Sequence, residues 1–503
     1  MVTVVSAVAL VGLEASRVVV EATHSQGLPG TRIVGLPDTA VREAAERIRS
    51  AARRSGLGWP EDRVTLNLAP AALRKSGAGF DLPMALAVLG ATGKVPREAL
   101  VDLWAVGELG LDGTVRPVPG ILPMAAAARD AGARLLLVAS AAAVEASLVE
   151  GLEVVPVDSL AEAAAVLQGE QAARDVVATP AVVTSGAPDL ADVRGQTVAR
   201  RAVEVAAAGG HHLLLSGPPG CGKSMLAERM AGVLPPLSMD EALEVAAIHS
   251  VAGVRAPDAP LSLVPPFRSP HHTTSAPGLV GGGSGVGRPG ELSLAHRGIL
   301  FLDELLEMPR WVLDALRQPL ESGHVRIVRT QAAVAFPADV LLVAATNPCP
   351  CGNLGSTSQA CRCAPDRVER YRSRLSGPLS DRIDLQVELR PVDPDRLVGP
   401  GDGEPTAAVA ARVAAARAVA AERWGPGTLN RSVPPAAVRA TCHAGAVRAL
   451  ASAVEQLALS ARSFDRALRV ARTIADLAGD ATVSTDHVDE AVAYRLATRL
   501  AAT

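Results

Sequence analysis

Residues 211–224, HHLLLSGPPGCGKS, decide how the rest of the chain is read. An apolar run ends in a glycine-rich turn, and helical patterning follows. Residues 217–224, GPPGCGKS, satisfy G-x-x-x-x-G-K-[ST] at every position. A predicted strand before it and a predicted helix after it are the setting in which that pattern cradles phosphate. Gly217, Gly220 and Gly222 let backbone N–H groups curl around phosphate oxygens, and Pro218, Pro219 and Cys221 complete the loop. Lys223 is placed to reach the β- and γ-phosphates, and the Ser224 hydroxyl to ligate Mg²⁺. Background frequency does not account for the lysine: of 49 basic residues, 46 are arginine and only Lys75, Lys94 and Lys223 are lysine. The expectation is a site for ATP with Mg²⁺.

Working outward, GILFLDE (298–304) and DVLLVAAT (339–346) are near-continuous apolar runs, as expected of parallel strands buried on both faces. Asp303 and Glu304 close the first run. Asp303 would hold Mg²⁺, directly or through water, and Glu304 would polarise the attacking water as general base. Asn347 ends the second run, placed to orient that water. Hydrolysis, not mere binding, is expected.

Strand-like and helical segments alternate over 188–395, which predicts an α/β P-loop core on a parallel sheet. Residues 1–170 mix β-rich runs (2–11, 18–21, 64–68, 135–138 and 154–157) with Ala-rich helical stretches, an α+β domain. Residues 171–187 carry Pro, Ser and Gly without a period and read as a linker. A second break, PVDPDRLVGPGDGEP (391–405), precedes a helical lid spanning 396–503.

Composition bounds the class. A chain of 503 residues has room for two to four domains. It is 49% apolar with eleven aromatics, so the cores are built from Ala, Val and Leu. The formal net charge of −3 sets up no global basic field, and a nucleic-acid site would be local. No uninterrupted apolar segment is long enough to cross a bilayer, and MVTVVSAVALVGLEA reads as a first strand, not a signal peptide. Six cysteines make no disulfide framework. A soluble, cytoplasmic, multidomain protein is expected.

Four of those cysteines lie close together in CPCGNLGSTSQACRC: Cys349, Cys351, Cys361 and Cys363. Four thiolates satisfy a tetrahedral structural Zn²⁺ site, although C-x-C is not the commonest spacing. The alternative is a loop of four reduced thiols. Its position after Asn347 suggests bracing rather than catalysis.

Together, the phosphate loop, SPHHTTSAPGLVGGGSGVGRPGELSLAHRGILFLDE (269–304), ATNPCPCGN (345–353), RYRSRLSGPLSDRIDL (370–385) and ALSARSFDRALRVARTIADLAG (458–479) resemble the YifB/ComM family of magnesium-chelatase-like AAA+ ATPases. The likeness covers nearly the whole chain. It implies an ATP-driven homo-oligomeric ring, a hexamer, with DNA branch migration the activity described for ComM-type members. On that resemblance Asn347 is sensor 1. Arg382 matches the arginine finger that reaches a neighbour's nucleotide, with Arg372 and Arg374 close enough to share the role. Arg462 matches sensor 2, with Arg466 the alternative, and ADVRGQ (191–196) would pack on the adenine. The insert carrying His271 and His272 lies near the pore in this clade. The segment 320–338 reads as a β-hairpin whose Arg326 and Arg329 could touch phosphate backbone. A surface loop and an edge hairpin with solubilising charge are the plain alternatives.

Residues 74–93 and 106–134 resemble the proteolytic domain of Lon-type proteases. The nucleophile position falls on Gly77 and the lysine position near Leu122. Ser76 is one residue out, so Ser–Lys cleavage is disfavoured and a binding or oligomerisation module is expected. Two functions remain: a DNA-remodelling ATPase with helicase character, or a chelatase-like motor acting on a protein partner without nucleic acid.

Overall fold

In the computed structural model, described for residues 2–176, 181–183, 186–256, 258–283, 287–329, 333–356, 359–393, 403–457 and 459–500, the apolar run before the phosphate loop forms the strand Leu213–Ser216. Parts of both anticipated linkers (177–180, 184–185, 394–402), of the glycine-rich insert (284–286) and of the hairpin turn (330–332) lie outside those residues. The strand belongs to a five-stranded sheet in the order Phe267–Arg268, Ile299–Leu302, Leu341–Thr346, Leu213–Ser216, Leu385–Glu388, with every neighbouring pair parallel.

The central strands Ile299–Leu302 and Leu341–Thr346 are buried at every position because both faces are covered. Leu213, Leu215, Phe301 and Val343 enter a core shared with the helix Thr197–Gly209 and the C-terminal helices. Leu214, Leu300, Leu302 and Leu342 point the other way, into a core with the helix Arg310–Ala315 and the hairpin His324–Val328/Ala333–Pro337. Parallel register then positions the site. Ser216 lies opposite Thr346, and Leu302 opposite Ala344. Gly217, Asp303 and Asn347 therefore leave the sheet together at its C-terminal edge, where open α/β sheets bind ligands.

Residues 3–157 form a mixed seven-stranded sheet ordered Gly30–Val34, Arg63–Ala69, Glu14–Ser25, Thr3–Val11, Leu103–Val106, Leu135–Ala139, Glu153–Val157. The five runs anticipated there are strands; Gly30–Val34, with no buried position, and the four-residue Leu103–Val106 were not anticipated. The helices Thr39–Arg54 and Asp81–Ala91 cover one face, and Ile121–Asp130 the other.

The helix Met239–Ala252 joins the two sheets. A capping box of Ser238 and Glu241 starts it. Its Ala242, Val245 and Ala246, with Leu237, share one core with Val8, Ile121 and Leu136. The Gly120 N–H donates to the Ser250 carbonyl across the same seam at 3.1 Å.

The C-terminal helices Thr406–Trp424, Pro435–Ala440, Ala444–Gln456, Ala461–Ala478 and Thr485–Leu500 have no core of their own; their buried residues complete the sheet's. Ser460 caps the helix Ala461–Ala478, and Gly479, at φ +78°, ends it. Among the described residues, no helix is long and apolar enough to cross a membrane.

Candidate nucleotide site

Lys223 opens the helix Lys223–Met230 directly after Gly222, which takes φ +93° to turn the chain around the loop. Its ammonium folds back onto the loop. It donates to the Gly217 carbonyl at 2.7 Å, the Pro218 carbonyl at 3.0 Å and Asn347 Oδ1 at 3.1 Å. Burial pushes its pKa down, opposed by Cys221, Asp303 and Glu304. Ser224 Oγ donates to Asp303 Oδ2 at 2.7 Å, so one hydroxyl and one carboxylate already face each other where a divalent cation can be shared.

Glu304 is left-handed at φ +50°, a conformation that costs a non-glycine residue about 1–3 kcal/mol and clusters at functional sites. Its N–H donates to Asp303 Oδ1 at 2.8 Å. Its Oε2 lies 3.0 Å from His272 Nδ1, and the His271 ring lies 4.1 Å from the His272 ring. That contact was invisible in the sequence because His272 and Glu304 stand 32 positions apart in no shared pattern. Gln196, also left-handed, donates to the Cys221 carbonyl at 3.0 Å and the Arg390 carbonyl at 2.7 Å. It ties ADVRGQ to the phosphate loop, and both line a cleft of about 730 Å³.

The four cysteines converge on one another beside that cleft, which Cys351 lines. Their sulfurs lie within 4.8 Å of one another, with Cys349 3.4 Å from Cys351 and 3.6 Å from Cys361. A tetrahedral site with Zn–S of ~2.3 Å places sulfurs ~3.8 Å apart, so the set fits a closed zinc site.

The arginines divide. Arg372 donates to the Pro348 carbonyl and Arg374 to the Leu306 carbonyl, beside the acidic strand end. Arg382 is instead paired with Glu321. A hydrogen bond from Arg382 holds the Glu321 carboxyl below its ordinary range, with Arg462 and Arg466 adding to the field. Asp384 and His212 exchange backbone and side-chain hydrogen bonds at the N-terminal edge of the sheet. Arg382 and its neighbours are thus a strand's length from Gly217, roughly 13 Å at 3.3 Å per residue. The fold does not bring Arg382 or Arg462 to the phosphate loop of its own chain.

Family profiles cover the same regions. One described as magnesium chelatase, subunit ChlI, matches residues 189–397; subunit ChlI of Mg-chelatase matches 20–142; magnesium chelatase, subunit ChlI C-terminal, matches 403–495. The chain is 46% identical to an uncharacterized protein of Mycobacterium tuberculosis over 97% of each chain. Over 98% of its length it is 43% identical to an uncharacterized protein YifB of Escherichia coli and 42% identical to the competence protein ComM of Haemophilus influenzae, covering 96% and 97% of those chains. The chain belongs to the YifB/ComM family. It is a magnesium-chelatase-like AAA+ protein with an α/β core and a helical C-terminus.

Two further features of this YifB/ComM chain bear on its expected partners. Gly281 and Gly287 close on Ile327, so the insert and the hairpin lie side by side, with Arg326 and Arg329 exposed. Beside the N-terminal sheet Lys75 is buried with its ammonium turned to the Pro70 carbonyl, and Gly77, which the Lon-type resemblance puts at the nucleophile position, takes φ +87°.

Proposed function

We propose that this YifB/ComM-family chain is an ATP-hydrolysing motor that assembles as a hexameric ring and remodels or branch-migrates DNA. The observation that carries the reading is the convergence of Lys223, Ser224, Asp303, Glu304 and Asn347 on one sheet edge. Lys223 and the loop N–H groups from Gly217 to Ser224 hold the phosphates. Ser224 and Asp303 would hold Mg²⁺, which when bound would supply charge neutralisation to the transferred phosphoryl group. Glu304 takes the proton of the attacking water, and Asn347 orients that water.

Arg382 as finger and Arg462 as second sensor lie too far from their own phosphate loop, so both serve a neighbour's nucleotide across a subunit boundary. Residues 1–170 form a non-proteolytic Lon-like domain, 188–395 the ATPase core and 396–503 the lid. The adjacent insert and hairpin, with His271, Arg326 and Arg329, supply the DNA contact. His272 faces Glu304 and links that contact to the site. The cysteine quartet would hold a structural Zn²⁺. The name of the Haemophilus relative, a competence protein, supports a DNA substrate. The net charge of −3 favours a second reading, a motor that acts on a protein partner.

Steady-state ATPase activity with and without single-stranded and branched DNA decides between them, with Lys223→Ala as the blank. Stimulation that is steeper for branched DNA is expected. Clear turnover with no response to DNA transfers the assignment to the protein-directed motor.

A further inference from the structure

The segment between Asn347 and the helix Pro365–Arg372 forms no helix or strand among its described residues, yet it makes one wall of the nucleotide cleft. Cys349 is fully buried two residues after Asn347. Gly352, at φ +79°, is pressed onto the phosphate loop: a Cβ there would lie 2.7 Å from Pro219 Cδ and 2.8 Å from Pro219 Cγ. Cys351 and Asn353 of this wall line the cleft together with Asp192 and Arg194. Among the described residues this wall is held largely from within: Asn353 Nδ2 donates to Gln359 Oε1 at 3.2 Å and the Gln359 N–H to Ser356 Oγ at 3.4 Å. Its local backbone bonds are single turns, Gly352 N–H to the Cys349 carbonyl at 2.9 Å and Ser356 N–H to the Asn353 carbonyl at 3.0 Å. The other convergent feature is the four sulfurs, and thiols bond one another only weakly.

We infer that Cys349, Cys351, Cys361 and Cys363 hold one zinc ion that seats Gly352 against Pro219, so that nucleotide affinity depends on the metal. Four thiolates select zinc by their softness and number, and a closed set of protein ligands leaves no open position for catalysis. Binding the ion fixes a loop that has no apolar core of its own, as structural zinc does in small domains. The metal then acts on ATP through packing, because Gly352 and Pro219 are in contact, and not through chemistry. This rests on the ATP site proposed above.

The test uses the intact chain. Elemental analysis counts zinc, and fluorescence anisotropy with mant-ADP and Mg²⁺ reads affinity before zinc removal, after it, and after zinc is restored. One zinc per chain is expected, with affinity lost about tenfold on removal and regained on restoration, equivalent to ~1.4 kcal/mol. Gly352→Ala keeps its zinc and loses affinity by a similar factor, which decides the matter if the metal-free protein unfolds. Zinc below about 0.2 per chain, iron in its place, or affinity within twofold after removal from a folded protein overturns the inference. Failure of the ATP reading looks different: zinc-loaded protein that binds no mant-ADP at all.

Discussion

Lys223 spends three hydrogen bonds on its own loop and on Asn347, and a nucleotide has to draw the ammonium away from those carbonyls. Removing it takes away both the phosphate contact and the brace. Lys223→Ala is therefore expected to abolish turnover, read as phosphate release. Glu304→Gln keeps the shape but cannot accept a proton. It should bind ATP normally while hydrolysis falls by about 10²–10⁴-fold, the range of a lost general base. Normal turnover in that variant removes Glu304 from the role. The motif residues were legible because each stands at a fixed offset from a strand end. His272 was not legible as a neighbour of Glu304, since no local pattern encodes where a long loop returns.

At the scale of elements, the helix Ala461–Ala478 shows what caps and periodicity reveal and what they leave hidden. Ser460 and Gly479 mark its ends in the sequence. Its partners cannot be read from a chain with 46 arginines. The structure selects two: Arg472, fully buried, and Arg423 lie 3.0 and 2.8 Å from Asp476. Asn430 donates to the same carboxylate at 2.8 Å, and Thr473 meets His211 at 2.8 Å on the sheet. Truncating Asp476 leaves buried arginine charge uncompensated. Asp476→Ala should cost about 3–5 kcal/mol, seen as a lower melting temperature. A loss below about 1 kcal/mol would show that solvent reaches the network. Helices 406–500 read correctly from their pattern. Their dependence on the sheet's core did not, because amphipathicity tells which face is apolar and not what covers it.

For the whole molecule, the N-terminal edge of the nucleotide-site sheet is sensitive to acid. Burial keeps His211 and His212 neutral, with pKa values lowered to about 4 and about 3; Asp384 opposes this in both, and Arg431 reinforces it. The unfolded chain takes up protons near pH 6.5 that the folded one refuses. Their contribution is thus complete above pH 6.5 and is lost as pH falls toward 4, at about 1.4 kcal/mol per unit for each ring. Burial would raise Asp384, but Arg466 and the two histidines hold it at about 2, so a further loss follows between about pH 4 and 2. Calorimetric melting temperatures should fall steadily as pH drops from 6.5 to 4; a flat profile there contradicts the buried, neutral rings.

The helix Met239–Ala252 also bears on how the chain can be cut. A shortened protein begun near residue 188 would leave Leu237, Ala242, Val245 and Ala246 without the wall that the N-terminal sheet provides. Exposed together, they form the kind of apolar strip through which chains self-associate. Such a fragment should sediment as aggregate, and exchanging those four side chains for polar ones should return it to solution. What looks in the sequence like a detachable module is, in the folded molecule, half of a shared interior, and any dissection of the chain has to rebuild that surface before the fragment's behaviour can be interpreted.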